Sequence, residues 1–114
     1  MIRSWNLAHY PGDQAPPHQH HRSDEGFIVI RGRLEVLVGT ERRILHQGEH
    51  VTIPAGTIHT FATVDPAGAD VVAVMTPEID QLVAALHTAS TDEERATIWR
   101  RFNSSVAPAP DHRL

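Results

Sequence analysis

At 114 residues, with ordinary apolar content and a formal charge of −4, the chain has the length of one domain that can bury a core without staples. There is no basic excess to meet nucleic acid, no apolar run long enough to span a membrane, and no cysteine for disulfides, thiolate metal sites or thiol nucleophiles. The first ten residues hold one arginine and no apolar stretch of the signal-peptide kind, so a soluble cytoplasmic protein is expected.

Short apolar runs separated by turn residues extend from about residue 3 to residue 75. Pro16-Pro17 keeps the approach to His18-Gln19-His20 extended. Glu25 to Arg31, with Phe27, Ile28, Val29 and Ile30, reads as a buried strand. Arg33 to Val38 alternates, with Leu34, Val36 and Val38 on one face, and Gly39-Thr40-Glu41 connects it as a hairpin to Arg42 to Leu45. After the turn Gln47-Gly48-Glu49, His50 to Ile53 is the next strand. Pro54-Ala55-Gly56-Thr57 is a tight turn before Ile58 to Val64. Asp65-Pro66-Ala67-Gly68 breaks the chain, and Asp70 to Met75 is the last expected strand. So many short strands indicate a sandwich or barrel.

The period then changes. Thr76 caps a helix with Pro77 at its first position, and Ile79, Leu82, Val83 and Leu86 follow at helical spacing. Ser90-Thr91-Asp92-Glu93-Glu94 offers two overlapping capping boxes, followed by the apolar stripe Ile98, Trp99 and Phe102, read as packing. The expected division is a β-barrel over 1–76, a helical extension over 77–103 packed on it, and a loose Pro/Ala-rich tail over 104–114.

The residues that carry chemistry sit within this pattern. His18 and His20 are two apart, so in a strand they project side by side, with Cα atoms about 7 Å apart at roughly 3.3 Å per residue. Glu25 opens the next strand, and His59 enters a strand just after the Pro54–Thr57 turn. Imidazoles with a carboxylate suit a first-row divalent transition metal, and a barrel brings His59 across to the other three. Three neutral imidazoles and one carboxylate leave such an ion one formal positive charge, which favours an anionic oxygen donor. Four protein ligands on an octahedral ion also leave two positions, enough for a chelating substrate or for substrate with dioxygen. His21 points away from this group by strand parity. His9, His46, His50, His87 and His112 read as ordinary surface or partly buried residues, and Asp24 as a turn residue.

The spacing as a whole resembles the cupin superfamily, in particular small single-domain, quercetinase-like cupins. The first motif matches at Gly12, His18, His20, Glu25 and Gly32, and the second at Gly48, Pro54, Gly56 and His59. The chain departs at the last position of the second motif, where it has Thr63 in place of the usual asparagine. The resemblance implies an all-β double-stranded β-helix, or jelly roll, here followed by one or two short C-terminal α-helices. It also implies one iron, manganese, nickel, copper, cobalt or zinc ion held by His18, His20, Glu25 and His59. Glu25 would double as a proton acceptor, as in flavonol-cleaving cupins.

The expected function is a metal-dependent oxygenase acting on a small oxygen-rich or aromatic substrate. The alternatives are a non-redox isomerase, cyclase or lyase working through an enolate, and a non-catalytic small-molecule-binding cupin. Phe27, Val29, Phe61 and Thr63 share strand parity with Glu25 and His59 and are expected to line the substrate cavity. Ile28 and Ile30 then point outward, which predicts a cover for them: a homodimer, or the C-terminal helices within one chain.

Overall fold

The structure is a computed structural model, and residues 1–108 are described here. The chain orders its elements as β1 (Ile2–Leu7), β2 (His18–His20), β3 (Glu25–Arg31), β4 (Leu34–Val38), β5 (Glu41–Leu45), β6 (His50–Ile53), β7 (His59–Thr63), β8 (Ala69–Val74), α1 (Pro77–Thr88), α2 (Asp92–Arg101) and β9 (Ser104–Val106). The strands make two antiparallel sheets, one in the order β1-β8-β3-β6 and the other β5-β4-β7-β2-β9. The all-β expectation with two short helices therefore holds. No helix among the described residues is long and apolar enough to cross a membrane.

Period-two alternation builds the core. Phe27 and Val29 of β3, Leu34 and Val36 of β4, Val51 and Ile53 of β6, and Val71 and Ala73 of β8 all face the space between the sheets and are buried. The helices start where their caps were expected. The Ile79 amide donates to the Thr76 hydroxyl at 3.3 Å, and the Glu94 amide to that of Thr91 at 3.0 Å. Glu94 reaches back to the Ser90 amide at 3.1 Å, so the two capping boxes merge into one device. Helix α1 buries Ile79 and Leu82, each worth about 1.5–3 kcal/mol of apolar transfer. The Arg3 guanidinium forks onto Asp80 at 2.8 and 2.9 Å, an exposed ion pair that bridges β1 and α1.

Two expectations about the periphery are corrected. The tail from residue 104 is not all loose, because Ser104–Val106 pairs with β2 in the register His18↔Val106, Gln19↔Ser105, His20↔Ser104. The physical reason is the open edge of β2, whose backbone groups need partners on the side away from β7. The rest of the expected tail, residues 109–114, lies outside the described residues, as does His112. The helices also do not cover Ile28 and Ile30, which are 36% and 51% exposed. Helix α1 instead spends its apolar face on the core cluster.

Gly32 and Gly68 adopt φ +78° and +76° where two turns approach each other, and a β-carbon on Gly32 would stand 2.6 Å from the Gly68 carbonyl oxygen. One on Gly68 would run into the Leu7 carbonyl. Gly39 shares a positive φ of +65° but faces open space. Gly68→Ala is therefore expected to cost about 2–3 kcal/mol, and Gly39→Ala about 1 kcal/mol from backbone strain alone. Urea midpoints at unchanged m-value measure both, and equal losses would show that the contact with Leu7 contributes nothing.

Candidate metal centre

Three histidines come from one sheet and the glutamate from the other. His18 lies directly across from His59 in the β2–β7 pairing, and His20 is two residues on, on the same face. Glu25 begins β3 in the facing sheet. The ligand-capable atoms of His18, His20, Glu25 and His59 all lie within 4.8 Å of one another, and all four side chains are buried. The turns of both motifs are tied together behind them. The Gly56 amide donates to the His20 carbonyl at 2.7 Å, and the Ala55 amide to the Asp24 carboxylate at 2.8 Å. Asp24 is thus a turn residue that also docks the second motif. His21 is exposed, as its parity required.

Each imidazole is held by its outer nitrogen. His18 Nδ1 donates to the Pro16 carbonyl at 2.7 Å, and His59 Nδ1 to the Thr57 carbonyl at 2.9 Å. His20 Nδ1 meets the Ser104 hydroxyl at 2.7 Å, and that hydroxyl donates onward to the Phe102 carbonyl at 3.1 Å. The hydroxyl hydrogen is thereby used, so Ser104 accepts from His20 Nδ1–H. In the neutral form of each ring the proton then sits outside and the Nε2 lone pair points inward.

The inward atoms then face one another as acceptors. His59 Nε2 is 3.0 Å from Glu25 Oε1, and His20 Nε2 is 3.7 Å from it, too far for a hydrogen bond and without any other partner. Lone pairs opposed in a buried space require a proton or a cation between them. This donor set of three nitrogens and one carboxylate fits a divalent transition metal.

Burial works on the charges here in opposite directions. It drives the His18 imidazolium pKa down to about 4, helped by neighbouring His59, so the ring stays neutral and ligand-ready. For Glu25 burial pushes the carboxyl up, but hydrogen bonding and charge from His20 and His59, when those rings carry a proton on Nε2, outweigh it and leave the group at about 2, ionised at neutral pH.

The four residues expected to line the substrate cavity separate. Phe27 and Val29 face inward and are buried, at 1% and 0% exposure, although Phe27 also borders, with Glu25, a cavity of about 380 Å³. Thr63 is buried, and its hydroxyl takes the Tyr10 amide proton at 3.1 Å. Phe61 alone reaches a cavity of about 520 Å³ that lies between β1, the loop before His18 and the two helices. Trp5, Gln14 and Trp99 line that cavity and were not picked out as site residues. The Trp99 ring stands 5.0 Å from the His18 ring. It packs, as its helical stripe implied, and it stands between the cavity and His18 of the candidate metal centre.

Two facing antiparallel sheets with a buried three-histidine, one-glutamate cluster between them define a jelly-roll protein with a candidate metal site. The chain belongs to the cupin family: the family model for the cupin domain (Cupin_2) matches residues 8–75. Quercetin 2,3-dioxygenase of Bacillus subtilis (strain 168) is 42% identical over 50 residues, which is 44% of this chain and 15% of the length of that relative. Among solved structures, a cupin-2 domain containing protein of Shewanella frigidimarina NCIMB 400 superposes with a TM-score of 0.56 at 24% identity, over 67% of this chain and 68% of the other. KdgF of a Halomonas species does so with a TM-score of 0.53 at 27% identity, over 67% and 78%.

Two outcomes are expected. Ser104→Ala should weaken metal affinity about 10–100-fold, as loss of the partner that orients a ligating histidine does, while leaving the far-ultraviolet circular dichroism unchanged. Competition with a chromogenic chelator reads this, and an unaltered affinity would free His20 from any dependence on β9. The second concerns acid. Unfolded, His18 protonates near its ordinary value of 6.5; folded, it does so only near 4. Between those values the unfolded chain binds more protons, so stability falls as pH falls. Metal-free protein should hold its full His18 contribution above about pH 6.5 and lose up to about 3 kcal/mol by pH 4. Glu25 adds to the loss between its ordinary 4.5 and about 2. Urea unfolding of chelator-treated protein measures the slope, and His18→Gln should flatten it between pH 6.5 and 4.

Proposed function

We propose that this cupin is a metal-dependent enzyme that oxidises a small oxygen-rich or aromatic substrate with dioxygen. The observation that carries the reading is the convergence of ligand-capable atoms of His18, His20, Glu25 and His59, all buried and within 4.8 Å of one another. The local similarity to quercetin 2,3-dioxygenase supports the oxidative choice over the other reactions open to the fold. A divalent ion held by His18, His20, Glu25 and His59 would supply Lewis acidity and a template for an oxygen-donor substrate.

The chain's own residues do the rest. Pro16, Thr57 and Ser104 hold the three rings in one tautomer. Glu25 is the one carboxylate in the cluster, and its low pKa keeps it anionic and ready to hold an ion. Trp99, packed on His18, keeps bulk water from that side of the centre. A homodimer belongs to the same reading, because Ile2, Ile28 and Val74 leave the outer face of the first sheet apolar and exposed.

Metal-replete protein is expected to take up dioxygen with at least one member of a panel of enolisable and catechol-type compounds. His59→Ala should lose metal affinity by more than about 100-fold, beyond the effect of an outer partner, and uptake should go with it. Turnover without oxygen uptake would replace the oxidation by a non-redox reaction through an enolate. Saturable binding with no turnover by any loaded metal would make the protein a small-molecule carrier.

A further inference from the structure

The cavity beside the metal centre has a definite chemical character. Its walls are Trp5, Phe61, Val83, Leu86 and Trp99. Trp5 stacks on Phe61 with ring centroids 6.0 Å apart and planes 22° from parallel, so one wall is flat and aromatic. Trp99 closes the side toward His18. Such a slot suits a planar ring, and about 520 Å³ is the volume of a small-ligand site.

Its polar groups offer donors. The Gln14 side-chain nitrogen is buried with no partner. A buried amide donor left unmatched is costly and calls for an acceptor. His87 and Arg95 stand exposed at the mouth, on the two helices. One Arg95 nitrogen donates to Asp92 at 2.9 Å, but Asp92 is fully in water, and the remaining guanidinium donors are uncommitted. The lining includes no aspartate or glutamate, although the chain carries a net charge of −4. Asn6, which also lines the cavity, has its amide engaged by Asp70 at 2.6 Å.

We infer that this cavity is a small-molecule binding site, separated from the metal centre by Trp99, and that it selects an oxygen-substituted aromatic carboxylate. The ring lies between the Trp5–Phe61 wall and Trp99, a ring oxygen accepts from Gln14, and the carboxylate faces Arg95 and His87 at the mouth. The site goes beyond the oxygenase reading, because none of His18, His20, Glu25 and His59 lines the cavity.

Both tryptophans of the chain line the cavity, so intrinsic fluorescence reports on it directly. The test titrates metal-free, full-length protein with 4-hydroxybenzoate and with its neutral isostere 4-hydroxybenzamide. The acid should quench saturably and bind about tenfold more tightly than the amide, the scale of one charge-assisted contact. Arg95→Gln should abolish that difference while sparing the amide. Gln14→Leu should weaken both probes, and Arg101→Gln, on the same helix but outside the lining, should change neither. Equal affinity for the two probes, or indifference to Arg95→Gln, overturns the anion selection, and absence of binding by both overturns the site. Because no metal is present, these failures leave the metal assignment standing, and failure of the metal assignment would leave this titration unchanged.

Discussion

A glutamate carboxylate and three imidazole rings converge in the buried gap between two sheets, and the surrounding structure is organised to keep them there. Left alone, that juxtaposition would push the sheets apart or draw in protons. The outer hydrogen bonds from Pro16, Thr57 and Ser104 prevent the rings from turning away. The cross-strand pairing of His18 with His59 fixes their separation, and the links from Gly56 and Ala55 bind the second motif's turn to the first motif's loop. The energetic cost of opposing these groups is what an ion would relieve, which is why the site links folding stability and ligand binding through the same four side chains.

The parts of this arrangement that were legible in the chain are those with a local period. Strand parity put His18 and His20 on one face and His21 on the other, and the glycine-framed spacing related Glu25 and His59 to them. Thr76 and Thr91 announced the helices through side chains that reach only three residues ahead. What escaped was long-range or concerned depth. Ser104–Val106 is three residues with no periodic signal, and its role depends on a strand 84 residues away along the chain. Parity correctly turned Phe27 and Val29 inward, but it cannot distinguish a side chain that fills the core from one that borders a cavity. The cavity itself is assembled from β1, the loop holding Gln14 and two helices, so no single segment announces it.

This division also separates what is general in the fold from what is particular. The jelly roll and the four-residue cluster place the protein in its family, and many reactions are compatible with both. The ligand selectivity proposed here draws on residues other than the motif positions: Trp5 from the first strand, Gln14 from the connection before His18, and Arg95 and Trp99 from the second helix. The C-terminal segment is accordingly part of the site in two ways, since α2 supplies the wall against His18 and β9 supplies the hydroxyl that orients His20.

The central claim is that His18, His20, Glu25 and His59 together hold one divalent metal ion. Crystals of protein loaded with one equivalent of a first-row metal, with data collected on both sides of that metal's absorption edge, test it most directly. The account predicts a single anomalous peak per chain, between the two sheets and surrounded by the Nε2 atoms of the three histidines and the Glu25 carboxylate. A peak at surface histidines such as His87, or none between the sheets at stoichiometric loading, would contradict it.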